Sequence, residues 1–118
     1  MREGQPMPKY KLIVLTTPLT GREAEYHDWY DNTHLPELVN AFGMEGAQRY
    51  ELVARLTGSD TNPYLAIYDI ETADPMALLG AIGKAMANGE LTQSDAQDMA
   101  TCYTALFTAR GERVVPAG

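Results

Sequence analysis

Two apolar runs constrain this chain more than any other feature. Residues 10–17 (YKLIVLTT) and 64–71 (YLAIYDIE) are β-branched and apolar along almost their whole length. Segments of that kind read as strands, and their near-continuous hydrophobicity predicts burial on both faces. Layered α+β architectures cover one face of a sheet with helices. In 118 residues, one domain's worth of chain, little is left to cover the other face. A second copy of the chain is the economical cover, so the pattern predicts a homodimer through the sheet face.

The segments between the two runs complete the pattern. Residues 20–23 (TGRE) form a capping-box sequence, with Thr at N-cap and Glu three positions later. A helix is expected after it, with Ala24, Tyr26, Trp29, Tyr30 and Thr33 on one broad face. Pro36 removes a helical N–H and disfavours helical geometry at Leu35. A break or kink is therefore expected over residues 32–35, then a short second segment over 36–41 that stops at Gly43. Residues 44–55 read as a long second strand, with Gly46 as a candidate bulge. A turn follows at 57–63 (TGSDTNP). After the third strand, Asp74-Pro75 is an N-cap with Pro at the first helical position. Its helix presents Leu78, Leu79, Ile82, Ala85 and Met86 on one side and stops at Asn88-Gly89. Residues 94–97 (SDAQ) suggest a second capping box opening one short turn. Residues 101–109 (TCYTALFTA) read as the fourth strand.

The order is strand, helix, strand, strand, helix, strand. It predicts a ferredoxin-like βαββαβ sandwich with a four-stranded antiparallel sheet. Residues 1–8 read as a flexible arm, 9–110 as one domain and 111–118 as a tail.

Composition excludes several function classes. With a single cysteine, Cys102, the chain has no internal disulfide and no zinc-ligand spacing. Cys102 reads as a small buried hydrophobe. No apolar run is long enough to cross a bilayer and no signal-peptide core is present, so a cytoplasmic location is expected. A formal net charge of -7 argues against a nucleic-acid partner. Phosphate-loop, dinucleotide and nucleophile-elbow motifs are absent, as is Cys or His spacing for a metal, so neither cofactor nor metal is expected.

The informative stretch is residues 25–38, EYHDWYDNTHLPEL, which holds both histidines. His27, Asp31 and His34 fall at i, i+4 and i+7, with Tyr30 beside them. A histidine moves protons near neutral pH. A carboxylate such as Asp31 can fix its tautomer, and a phenol such as Tyr30 can hold a developing oxyanion. That set suits enolisation, dehydration, decarboxylation or ring closure on a carbonyl compound. A lone histidine near a helix end is more often a structural cap or a solvent-facing residue, and Trp29 and Tyr26 read as core. Arg49, mid-strand, needs a carboxylate if buried. Asp69, Glu71 or a ligand carboxylate are the candidates.

The residues Trp29, Tyr30, His34, Pro36, Gly43, Arg49 and Tyr50, in WYDNTHLPEL, FGM and AQRYEL, resemble the EthD-like branch of the dimeric α/β-barrel superfamily. The resemblance implies two ferredoxin-like protomers forming a barrel, with a pocket near the first helix faced by His34. It also implies polyketide cyclase, decarboxylase, dehydratase or isomerase activities, or cofactor-free monooxygenases. The leading expectation is a cofactor-independent lyase, isomerase or cyclase of an aromatic or polyketide-like carbonyl compound. His34 would be general acid/base with Tyr30 or Asp31 beside it, Trp29, Tyr50, Tyr68 and Tyr103 would line the pocket, and Asn32 and Arg49 would contact the ligand. The alternatives are a cofactor-free monooxygenase of a phenol using Trp29 and Asn32, and a non-catalytic small-molecule-binding dimer.

Overall fold

The computed structural model describes residues 7–118. The predicted flexible arm falls largely on residues 1–6, outside the described residues. At its end the Pro8 carbonyl accepts a hydrogen bond from Thr72, so the chain is already anchored there.

Four antiparallel strands form the sheet. They are β1 (Lys9–Thr16), β2 (Gly46–Glu51), β3 (Tyr64–Glu71) and β4 (Tyr103–Phe107), in the order β2-β3-β1-β4. Helices α1 (Glu23–Trp29) and α2 (Leu35–Ala41), joined by a π-helical turn, Tyr30–His34, connect β1 to β2. Helix α3 (Pro75–Ala87) connects β3 to β4. This is an α+β fold compatible with the ferredoxin-like topology. No helix of the described residues is long and apolar enough to cross a membrane.

Strand pleating sorts the side chains into two faces. Register pairs Leu12 with Tyr68 and Val14 with Ala66 across β1 and β3. These residues, with Ile70 and Leu106, face the helices and meet Tyr26, Tyr30, Leu38 and Ile82 in the core. The opposite face carries Ile13 opposite Ile67 and Leu15 opposite Leu65. None of these four is fully buried. The expected burial on both faces is thus met on one side within the chain.

Local chemistry accounts for the ends of the elements. Asp74 caps α3, accepting from the Ala77 N–H at 3.0 Å, as its sequence predicts. Gly43 sits at φ 61, and the Met44 N–H bonds back to the Val39 carbonyl. That is the six-to-one closure of a helix by a left-handed residue.

Several expected boundaries are corrected. Helix α1 begins at Glu23, with Arg22 rather than Thr20 at the N-cap. Gly21 turns the chain at φ 85, and the Glu23 carboxylate accepts from the Gly21 N–H, so the expected capping box does not form and the helix starts two residues late. Leu35 stays helical, at φ -61 and ψ -53. The chain accommodates Pro36 by widening into the π-helical turn instead of breaking, and the Leu35 N–H bonds to the Tyr30 carbonyl. Strand β2 spans Gly46–Glu51, shorter than expected, because its partner β3 starts only at Tyr64. The Leu52 N–H to Pro63 carbonyl bond follows it, and residues 52–61 are exposed. Gly46 pairs in register with Asp69, so no bulge forms there. Strand β4 is likewise shorter than 101–109. Ahead of it, the Asp98 N–H already takes the Thr17 carbonyl.

Residues 90–98 form a strap without helix or strand. Ser94 Oγ accepts from the Ala96 N–H, which makes a hydroxyl-capped turn rather than the expected helical one. Ala96, fully buried, accepts from the Leu19 N–H at 2.6 Å. The strap therefore runs across the first helical segment on the way to β4.

Candidate active site

The π-helical turn explains why two aromatic clusters lie on either side of Tyr30. A π turn widens the helix, so side chains five apart are brought over one another. His34 accordingly stacks on Trp29, five residues before it, with ring centroids 4.4 Å apart and planes inclined by 21°. Tyr30 meets His34 edge-on at 5.1 Å. On the other side of Tyr30 lies the Arg49 guanidinium, 4.4 Å above its ring.

Arg49 sits in a cage of tyrosines. Its Cζ also lies 5.3 Å from the Tyr26 ring and 5.5 Å from the Tyr64 ring. Nη1 donates to Asp31 at 2.8 Å and to His27 Nδ1 at 3.2 Å. His27 thereby keeps Nδ1 as the acceptor. Nη2 is buried with no hydrogen-bond partner and is stabilised by the aromatic faces around it. The expected partners of Arg49 are corrected. Asp69 binds Lys11 and Glu71 binds Lys9 on the open sheet face. Arg49 shares the helix side with Ala66, its register partner, and so meets Asp31.

His34 has a different environment. Its Nδ1 is buried without a partner, so no carboxylate fixes its tautomer. The expected Asp31 contact is absent because Asp31 is held by Arg49. Burial pushes the imidazole down to about 4, with Glu37 opposing weakly. His34 is therefore neutral at pH 7, with one ring nitrogen a donor and the other an acceptor. Burial holds the Tyr30 phenol far above its ordinary value and pushes the Tyr68 phenol up to about 12. Both remain protonated hydrogen-bond donors, and the Tyr68 hydroxyl is buried and unpartnered.

The chain matches no family model, no curated protein and no solved structure.

A cavity of about 70 Å³ adjoins His34, lined also by Trp29, Met86, Leu91, Gln97 and Met99. The strap forms the roof. Trp29 Nε1 donates to the Thr92 carbonyl at 3.0 Å. Glu37 accepts from the Thr92 N–H at 2.6 Å and from its hydroxyl at 2.9 Å.

The expected site residues divide into groups. Trp29 and His34 line the cavity, while Tyr30, buried in the core, meets His34 edge-on without lining the cavity. Asp31, Arg49 and Tyr68 lie toward the sheet side of Tyr30. Asn32 is exposed and donates to Asp28 at 2.8 Å. Tyr50 and Tyr103 do not join the pocket. Tyr50 pairs with Leu65 and Tyr103 with Leu15, which places both on the opposite face of the sheet, about half exposed. Alternation from the buried Arg49 would have placed Tyr50 there, given the register. Sequence reasoning missed Glu37, Thr92, Met86 and Met99 at this site. Their approach depends on the path of the strap, for which no local signal exists. His27, singled out without a role, proves to be an Arg49 partner. Among the described residues, no three His, Cys, Asp or Glu side chains converge as metal ligands would.

Proposed function

We infer that the chain is a small enzyme working without a cofactor on an aromatic or polyketide-like carbonyl compound, by lyase, isomerase or cyclase chemistry. The observation that carries this reading is the neutral, half-buried His34 stacked on Trp29 beside a cavity. The imidazole takes a proton from carbon next to the substrate carbonyl. Tyr30, buried behind His34 and meeting it edge-on, acts as a positioning residue for the imidazole. The indole of Trp29 with Met86, Leu91 and Met99 favours a flat, apolar substrate. Asp31 and Arg49 hold the π-helical turn against the sheet and act as positioning residues. The EthD-like resemblance points to the same chemistry.

The same reading includes a homodimer. Ile13, Leu15, Leu65, Ile67, Tyr50, Tyr103 and Phe107 give the uncovered sheet face an apolar centre. The radius of gyration is 16.1 Å, against about 13.5 Å for a compact chain of this length. The excess comes with exposed Val53, Leu56 and Val114 outside the sandwich. Such surfaces mark interaction sites. A second copy packed face to face would bury the apolar centre of the sheet face.

The chemistry is testable without the natural substrate. Aromatic ketones and β-keto esters are incubated with the protein in D₂O under nitrogen, and loss of the α-proton signal is followed by NMR. Wild type is expected to catalyse exchange and His34→Gln to lose it. Exchange equal in the two proteins, or none with any compound, would refute the reading. Turnover only in the presence of oxygen would favour the monooxygenase alternative.

A further inference from the structure

The cavity beside His34 is too small for an aromatic ring with its substituents, since ligand pockets usually hold about 300–1,000 Å³. A second, open groove of about 570 Å³ lies against it, lined by Glu25, Asp28, Trp29, Gln93, Ser94 and Asp95. Groove and cavity have Trp29, Gln93 and Ser94 in common. They are two compartments separated by one indole and one stretch of strap.

We propose that the groove is the vestibule of the His34 site, that Trp29 and the strap are its gate, and that it admits uncharged rather than anionic molecules. This rests on the reading of His34 given above and names the substrate class and entry path. Three observations carry it.

The first is that the gate is built from interactions that can be exchanged. Trp29 Nε1 to the Thr92 carbonyl, at 3.0 Å, is one neutral hydrogen bond. The Glu37–Thr92 bonds are exposed, and so is the Arg22–Asp95 ion pair. Exposed contacts of this kind contribute little each. The chambers' shared strap residues carry no helix or strand ladder, so moving them breaks no regular structure.

The second is what lies behind the gate. Met86 and Met99, flexible and partly exposed, line the inner cavity. Unbranched thioethers can repack around an incoming ring. Displacing the strap joins 70 Å³ to a groove of ordinary ligand size.

The third is charge. Glu25, Asp28 and Asp95 line the groove. Arg22 binds Glu25 and Asp95 at 2.6 Å, and Asp28 receives the neutral Asn32 amide. The vestibule is left net negative on a chain of net charge -7. A carboxylate approaching through it is repelled, whereas a ketone, aldehyde or neutral phenol is not.

Trp29 is the sole tryptophan, so its indole N–H gives one cross-peak that reports the gate. The protein is titrated with acetophenone and separately with benzoate at low salt, following that peak and the His34 ring protons. Acetophenone is expected to shift both signals saturably. Benzoate should bind at least ten-fold more weakly. In the double variant Glu25→Gln, Asp28→Asn, and at high salt, that gap should narrow several-fold. Equal binding of the two probes, no shift by either, or an indole shift that leaves His34 untouched would each overturn the proposal. Proton exchange that depends on His34 but is indifferent to probe charge would sink the gate alone and leave the catalytic reading standing.

Discussion

Protonating His34 should cost the folded protein a measurable part of its stability. The imidazole is held at about 4 by burial, against 6.5 for a free histidine. The folded state therefore binds fewer protons than the unfolded chain wherever the pH lies between these values. Stability is fully present above pH 6.5 and is lost as the pH falls toward 4. At 1.36 kcal/mol per pH unit, the whole shift corresponds to about 3 kcal/mol, of which about 2 kcal/mol is already lost at pH 5. The ring is only part-buried, so solvent screening lowers the expected loss at pH 5 to about 1–2 kcal/mol.

Urea unfolding of wild type and His34→Gln at pH 7.5 and pH 5.0 isolates this contribution. Carboxylates titrate alike in both proteins and cancel. Protomer concentration is held fixed, because association would otherwise shift the midpoints. Between the two pH values the variant should gain about 1–2 kcal/mol relative to wild type. Parallel profiles within about 0.3 kcal/mol would refute the argument. So would a midpoint near 6.5 for the His34 ring protons in an NMR titration, a measurement that does not depend on how the variant folds.

Other residues give sharper contrasts. Arg49→Gln should destabilise by about 2–4 kcal/mol in urea, since it empties the tyrosine cage and strands Asp31 and His27. Asp31→Asn, at a half-exposed partner, should cost about 1 kcal/mol or less. A reversed order would mean that the cage does not hold the cation. Tyr26→Phe leaves the Thr16 hydroxyl, its buried partner, unmatched and should cost about 1–2 kcal/mol by the same measurement. Leu15→Glu puts a charge at the centre of the open sheet face. Light scattering is expected to find wild-type dimers and variant monomers, and an unchanged mass would remove the sheet face as the interface.

The fold was legible because its strongest signals are local. Apolar runs place β1 and β3, Asp74-Pro75 starts α3, and Gly43 closes α2. Each depends only on residues within a turn of itself. The errors arose where a neighbour decides. How far β2 extends is set by where β3 begins, and the start of α1 by the turn at Gly21. The partner of Arg49 depended on register. With Arg49 opposite Ala66, the side chain points toward the helices, away from Asp69 and Glu71 on the other face. One step along the strand carries Tyr50 to that other face, so two residues adjacent in the motif serve opposite sides of the sheet.

The response to Pro36 links these points to the site. A broken helix would have left His34 at a loose end, where a histidine is usually a cap or faces solvent. Widening into a π turn keeps every residue from 30 to 34 helical while shifting the stacking interval from four residues to five. That shift puts His34 on Trp29 rather than beside it. It also leaves Tyr30 between two clusters, with Arg49 on one side and His34 on the other. The indole then does two things at once: its face covers the imidazole, and its edge N–H holds the strap. Under the proposed gating, a movement that takes the indole off both the strap and the imidazole would uncover His34. Uncovering raises the imidazole toward its ordinary value, since burial is the larger cause of its low one. On that proposal, access to the site and the basicity of its histidine would be coupled through a single ring.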